Sequence, residues 1–284
     1  QSVGKSHESY YINNKQWALA IDAASQTACY REDLIPSYPS NWNALLDLAK
    51  NNKVLWPLKP VHAISSFYSV YNNITTELIP DQKKFIDKNF GVETLTMMKA
   101  VSKELITDCL TMDPIQTAEL MTETNDFFYC PYIYGFSNYS RKNYRKYILK
   151  YIDVINLSGK GPAGTHLGGT GIAVSNVSKN KDLAIEYAFW IASAECQKSL
   201  YYESGGQPGN SVAWEDDKIN KETNNFFRGT RKTLDLAWVR PRHNGYMKFQ
   251  DESGNLINEY LQSEIKAESI CEKLIDMYNE SFEI

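Results

Sequence analysis

The stretch Gly168-Gly-Thr-Gly-Ile-Ala-Val-Ser-Asn-Val-Ser-Lys-Asn-Lys-Asp-Leu-Ala-Ile-Glu-Tyr-Ala-Phe-Trp-Ile-Ala-Ser193 decides the fold class. Its glycines lead into a short apolar run, residues 171–175, that suits a strand, and Ser178 or Asn180 then stands where a helix needs a side-chain cap. From residue 182 to 193 the pattern turns helical. Leu183, Ala184, Tyr187, Trp190 and Ile191 share one side, so that side is expected to be buried. A strand feeding a capped helix is the unit of an α/β fold. Just downstream, Glu203-Ser-Gly-Gly-Gln-Pro-Gly-Asn210 ends any helix, because three glycines and a proline cannot continue one.

Upstream, residues 16–22 form a mostly apolar run that suits a strand and ends on Asp22, a position from which a carboxylate can face a pocket. Residues 27–30 suit a second strand, and Ser40, after Pro36 and Pro39, can cap a helix over 42–50. Residues 53–57 read as a short strand. Apolar residues recur at helical spacing over 62–72 and 92–113, and a further helix follows Pro114 through Met121. The aromatic density of residues 126–135 fits a buried strand and its loop, residues 147–156 a strand or amphipathic segment, and residues 256–282 more helix.

A length of 284 residues admits two lobes or one large α/β domain. The net charge of -4 leaves no electrostatic footprint for nucleic acid, and the one basic run, residues 141–146, reads as a solvated helix face. No apolar stretch approaches the length of a membrane span. Five scattered cysteines without a CxxC suggest neither a disulfide framework nor zinc. The four histidines lie at no metal-ligand spacing, so no metal or cofactor is expected. Gly159-Lys-Gly161-Pro-Ala-Gly164 spells G-x-G-x-x-G, yet Pro162 and Thr165-His-Leu-Gly-Gly follow it where a nucleotide fingerprint must open a helix. Aromatic residues make up 13% of the chain, and several flank loop breakers, where a flat ring with a polar edge suits a sugar.

Four segments, in order, resemble the extracellular solute-binding proteins of family 1, the maltose-binding-protein-like group. They are Tyr10-Tyr-Ile-Asn-Asn-Lys-Gln-Trp-Ala-Leu-Ala-Ile-Asp-Ala-Ala-Ser-Gln-Thr-Ala-Cys-Tyr-Arg-Glu-Asp-Leu34; Pro39-Ser-Asn-Trp-Asn-Ala-Leu-Leu-Asp-Leu-Ala49, close to that family's P-x-T-W-D-E-L helix start; the stretch 168–193; and Ser199-Leu-Tyr-Tyr-Glu-Ser-Gly-Gly-Gln-Pro-Gly-Asn210. The resemblance implies a two-lobed α/β fold of the periplasmic-binding-protein type (type II), with residues 1–22 and 168–212 in the N-terminal lobe and 23–167 and 213–284 in the C-terminal lobe. Chain crossings are then expected near residues 22–24, 165–169 and 211–214. Family members begin with strands and helices that have no counterpart ahead of Gln1, so the first lobe is expected to be incomplete and to expose apolar surface and an unpaired edge.

What the resemblance implies for function is the substrate-binding component of an ABC importer, extracellular, cell-surface anchored or periplasmic. It would capture a small polar solute, a sugar or oligosaccharide, and deliver it to a membrane permease. Any membrane association would come only through an N-terminal anchor outside this sequence. The candidate ligand-binding residues are Asp22 as a hydroxyl acceptor, Trp17, Tyr134 and Trp238 as platforms, backbone groups of Gly169 and Gly206, Gln207 as an amide partner and Arg240 as a bidentate donor. The alternatives are an enzyme on the same fold, thiaminase-like and built on a thiol such as Cys29, for which His166 could serve as base, or a module that presents its ligand to a sensor.

Overall fold

The computed structural model describes residues 1–75, 84–159, 161–162 and 164–283, so Lys160 and Ala163 of the G-x-G-x-x-G stretch lie outside the described residues. The chain opens with a hairpin of two-residue strands, β1 (Tyr11–Ile12) and β2 (Lys15–Gln16), turned by Asn13 and Asn14 at φ 53° and 59°. Asparagine tolerates those left-handed values better than other side-chain-bearing residues. The run expected as one strand over 16–22 is divided: its first residue, Gln16, belongs to β2, and a separate strand, β3 (Leu19–Ala20), follows after residues 17–18. Next come β4 (Ala24–Tyr30), α1 (Trp42–Lys50), α2 (Pro60–Thr75), α3 (Lys88–Ser102), α4 (Pro114–Glu123), β5 (Tyr129–Tyr134) and β6 (Lys150–Ile152). The chain continues through β7 (Leu167–Gly168), β8 (Gly171–Ile172), α5 (Lys181–Ala192), α6 (Ala194–Lys198), α7 (Leu200–Glu203), α8 (Ser211–Glu215), α9 (Asp217–Glu222), α10 (Phe226–Asp235), α11 (Tyr246–Leu261) and α12 (Ala267–Glu280).

Local chemistry sets several boundaries. Asn41, rather than Ser40, caps α1, its side chain accepting from the Ala44 N–H at 3.0 Å. Asp113 and Gln116 form a capping box in front of α4, with Pro114 in the first turn. α3 stops at Ser102, well short of the periodicity read through 113, because Ile106 is extended and a separate 3-10 turn over Thr107–Leu110 follows it. The strand expected over 53–57 amounts to one bridge, Val54 with Tyr129.

The larger body is a β5-β4-β6 antiparallel sheet, extended by β7 on β4, with helices on both faces. Alternate side chains divide between two cores. Ala28, Tyr30, Trp56, Tyr129, Tyr132 and Ile152 pack toward α2, α3, α11 and α12. Cys29, Leu55, Cys130, Ile133 and Tyr151 pack toward α4, α8, α9 and α10, and Val3 of the N-terminal segment inserts there too. All five cysteines are free thiols and buried.

The smaller body contains the two-stranded sheet β3–β8, paired Leu19↔Ile172 and Ala20↔Gly171, with α5 packed against it and α6 and α7 after that helix. The apolar side expected to be buried is not. Leu183 is 66% exposed, Phe189 63%, and Tyr187 and Trp190 are exposed as well, leaving Ala188 as the buried residue of α5. The physical reason is area: a sheet of two-residue strands offers little surface to cover a helix that is apolar on most of its sides.

Three segments cross between the bodies within backbone hydrogen-bonding distance. Ile21 and Asp22 donate to the Thr170 carbonyl at 3.0 and 3.1 Å, Thr170 donates back to the Asp22 carbonyl at 3.2 Å, and Gly209 donates to the Ile21 carbonyl at 3.1 Å. Gly169 holds φ +115°, and a β-carbon there would lie 2.5 Å from the Asp22 carbonyl oxygen. Gly169→Ala is therefore expected to cost on the order of 2 kcal/mol and lower the calorimetric melting temperature by about 5 °C. Gly159→Ala, where a β-carbon meets nothing within 4 Å, should cost about half as much.

Candidate functional site

A mixed polar and aromatic cluster gathers where the crossings meet the larger body. Asp22 stands at the end of the first crossing, bridged to Pro208 of the third. Its carboxylate accepts the Gln207 backbone N–H, and among the described residues it makes no ion pair. Burial pushes its pKa up to about 6, the Gln207 hydrogen bond opposing in part. Two tyrosines sense this charge. Burial, and then Asp22, push Tyr201 up to about 12. Tyr10 is also raised, by burial first, with Arg242, Asp22 and Arg240 acting on it in that order. Tyr10 packs on β8 where Gly171 leaves room, since a β-carbon there would come within 2.7 Å of the ring.

The larger body contributes a histidine-centred floor. The Nδ1 of His166 lies 2.9 Å from the Tyr134 hydroxyl and 3.0 Å from the Ser65 hydroxyl, while its Nε2 is buried without a hydrogen-bond partner among the described residues. Burial lowers the His166 pKa to about 3, and the charges of Arg240 and His62 act in the same direction. His62 is lowered to about 4 by burial, against the pull of Asp113. Both rings are therefore neutral at physiological pH. Below them Ser69 donates to Gln26 at 2.6 Å, Gln26 donates to Ser66 at 3.2 Å and Trp56 donates to Ser66 at 2.9 Å, which ties α2 to β4 through buried polar atoms.

The residues singled out from sequence do not all converge. Asp22, Tyr134 and Arg240 join the cluster, and Gly169 lies exposed beside Asp22. Trp17 is 59% exposed and donates its indole N–H to Ile12 at 3.0 Å, on the hairpin side. Trp238 is core rather than platform: it is 5% exposed, 4.6 Å from the Tyr68 ring, and its backbone pairs with Thr165 and Leu167. Gln207 is a tie between segments. Its Nε2 donates to the Ala23 carbonyl at 2.9 Å and its Oε1 accepts the Ser137 N–H at 2.9 Å, so both ends of the amide are occupied. The Gly206 N–H likewise bonds the Tyr201 carbonyl, and a β-carbon at Gly206 would run into the Tyr201 ring.

Cys29 and His166 do not meet. Cys29 faces the α4–α10 core, whereas His166 packs at a tilt against Tyr68 and Trp238 on the opposite face of the sheet. Sequence reasoning missed Tyr10, His62, Ser65, Tyr201 and Arg242. Only Tyr10 and Tyr201, inside the quoted segments, and Arg242, two residues after Arg240, carried a signal that could have found them. One hollow of about 500 Å³ lies away from this cluster, lined by Glu32, Lys142, Lys146 and Lys221. It is open to solvent, and its Glu32 already pairs with Lys150, so it is not the candidate site.

The three crossings, the sheets they join and the cluster between them define a periplasmic-binding-protein fold of two lobes (type II), with the first lobe much the smaller. Solved structures with this fold include the maltose-bound MalE3 of T. maritima, at 15% identity and a TM-score of 0.84 over 98% of this chain and 76% of that one. The ABC substrate-binding protein Lmo0181 from Listeria monocytogenes, in complex with cycloalternan, matches at 15% identity and a TM-score of 0.79 over 100% and 76%. The maltotriose binding protein of Thermus thermophilus, bound with maltotriose, matches at 18% identity and a TM-score of 0.76 over 99% and 76%. No protein-family model matches the chain, and no curated protein sequence matches it either.

The raised pKa of Asp22 fixes a pH dependence. The unfolded chain releases this proton near pH 4, while the folded chain retains it to about pH 6, so stability is full below the first value and falls as pH rises through the second. Asp22→Asn should therefore stabilise the protein by about 1–2 kcal/mol at pH 7 and leave it unchanged at pH 4, as read from urea unfolding at the two pH values.

Proposed function

We propose that this chain is the substrate-binding component of an ABC importer, which captures a small polar solute, a sugar or oligosaccharide, between two lobes and hands it to a membrane permease. The observation that carries the reading is Asp22: a carboxylate that burial has raised to about 6, without an ion pair among the described residues, placed where three strands cross between lobes. A carboxylate so placed lacks the solvation it needs, and ligand hydroxyl groups supply it when the lobes close. Structures with the same fold hold maltose, maltotriose and cycloalternan, which supports a saccharide as the solute. Tyr10, Tyr134 and Tyr201 offer ring faces and hydroxyls around it.

The lobes we assign are 1–22 with 168–212, and 23–167 with 213–284, Val3 and Tyr202 of the first reaching into the core of the second. Closure swings them about the crossings and desolvates the ligand. The setting is extracellular or periplasmic, and the permease supplies the membrane contact; among the described residues no helix is long and apolar enough to cross a membrane. The apolar surface of α5, beside the two-stranded sheet, belongs in this reading to a lobe completed by further polypeptide, because a helix of that composition is ordinarily covered.

Titration calorimetry with maltose, maltotriose and a panel of neutral mono- and disaccharides tests the function. At least one should bind with a micromolar or tighter Kd, and Asp22→Ala should weaken it by tenfold or more. Heat with amino acids or polyamines in place of every sugar would replace the saccharide reading. A second measurement addresses α5. Phe189→Ser with Leu183→Ser should cut the fluorescence of a bound hydrophobic dye and leave the melting temperature within about 2 °C, as expected for exposed positions.

A further inference from the structure

The chain shows how it treats an arginine that only builds structure. Arg31 is fully buried and chelates Asp33 at 2.7 and 2.8 Å, with the Met121 and Thr124 carbonyls taking its other side. Arg145 holds Glu119, Arg228 holds Asp217, and Arg231 holds Glu215 and Asp235. Each guanidinium meets a carboxylate.

Arg141, which lies over the Tyr202 ring and donates to the Tyr202 carbonyl, meets no carboxylate among the described residues, and neither do Arg240 and Arg242, but only these last two stand together at the candidate site. Among the described residues neither forms an ion pair. Arg240 donates from Nη1 to the Oε1 of Gln250 at 2.9 Å, and Gln250, itself 3% exposed, fixes the guanidinium while leaving its charge uncompensated. Arg242 makes no hydrogen bond among the described residues and stands 6.0 Å from the centre of the Tyr10 ring, across the line between lobes. Pro241 holds the pair two residues apart, and the two charges feel each other: burial, then Arg240, lower the pKa of Arg242. The charge of Arg240 also reaches Tyr134 and His166 on the floor and Tyr10 on the wall. Next to it the Nε2 of His166, in a residue 4% exposed, has no partner among the described residues. Two like charges held together beside an unanswered buried nitrogen are unfavourable in the empty site and become favourable when an anion arrives.

We propose that Arg240 and Arg242 form an anion subsite, and that the solute is an acidic saccharide whose carboxylate or phosphate lies between these guanidiniums while its hydroxyls face Asp22. This inference rests on the solute-binding reading above. Gln250 is a positioning residue in it, and the neutral His166 is a hydrogen-bonding neighbour of the anion. A planar guanidinium pair selects for a two-oxygen anion by geometry as well as by charge.

The test compares Kd values, by calorimetry on the full chain, for ligands that differ only in the charged group: glucose against glucuronate and against glucose 6-phosphate. At least one acidic form should bind tenfold or more tightly than its neutral counterpart, with an affinity that falls as salt rises from about 50 to 500 mM. Glucuronate against glucose 6-phosphate tells a carboxylate from a phosphate. Arg242 is exposed and makes no hydrogen bond among the described residues, so R242Q keeps the fold, and the ratio of neutral to acidic Kd, whatever happens to neutral-sugar affinity itself, should fall from tenfold or more to about one. Arg240→Gln, its folding checked by melting temperature, should do the same. Equal affinity for acidic and neutral forms, or an acidic preference that R242Q leaves intact, overturns the anion subsite and leaves the solute-binding reading standing. Binding of no saccharide of either kind overturns both.

Discussion

At residues 21–23, 168–170 and 207–209 three strands of polypeptide pass so closely that their backbones bond one another directly. Side chains are nearly excluded there. Gly169 lies against the Asp22 carbonyl, Gly209 lies within 3.2 Å of the backbone of the first crossing for a notional β-carbon, and Gln197 reaches in to bond the Ile21 carbonyl and the Gly209 N–H. Everything else is arranged around this knot. It orients β3–β8 relative to the larger sheet, and it places Asp22 near Tyr10 and Tyr201.

The two sides of the knot differ in stiffness for a reason visible in their chemistry. On the larger side, Ser65, Ser66, Ser69, Gln26, Trp56 and His166 form a buried run of hydrogen bonds, and breaking any one strands a polar atom away from water. On the smaller side the contacts are two short strands and an exposed helix. The hydrogen-bonded floor around His166 is therefore the stiffer side, and the two short strands and the exposed helix are the side that deforms at least cost.

Much of the fold was legible because it is written locally. Pro114 with Asp113 and Gln116 announces a helix start, and residues 27–30 form a short run without strong polarity or a helix signal, as suits a strand buried on both faces. Periodicity also identified which side of α5 is apolar, but it cannot say whether anything lies over that side, and here little does. The site was legible in its residue types and not in their partners. Gln207 answers Ala23 and Ser137, 184 and 70 residues away. His166, isolated in sequence, belongs to Ser65 and Tyr134, 101 and 32 residues distant. A side chain's identity states what it can bond, and only the closed topology states what it does bond.

The five buried thiols carry a consequence of their own. In the folded chain Cys29, Cys109, Cys130, Cys196 and Cys271 are shut away from solvent, whereas in the unfolded chain all five can react. Cys29 and Cys130 face each other across β4 and β5, but a disulfide formed then between thiols that the fold holds apart belongs to the unfolded state alone, so an oxidant that makes one acts as a ligand of that state and drains the native population by mass action. In an oxidising compartment the yield of working protein is set by a race, in which the sheet must close over its thiols before the surroundings find them.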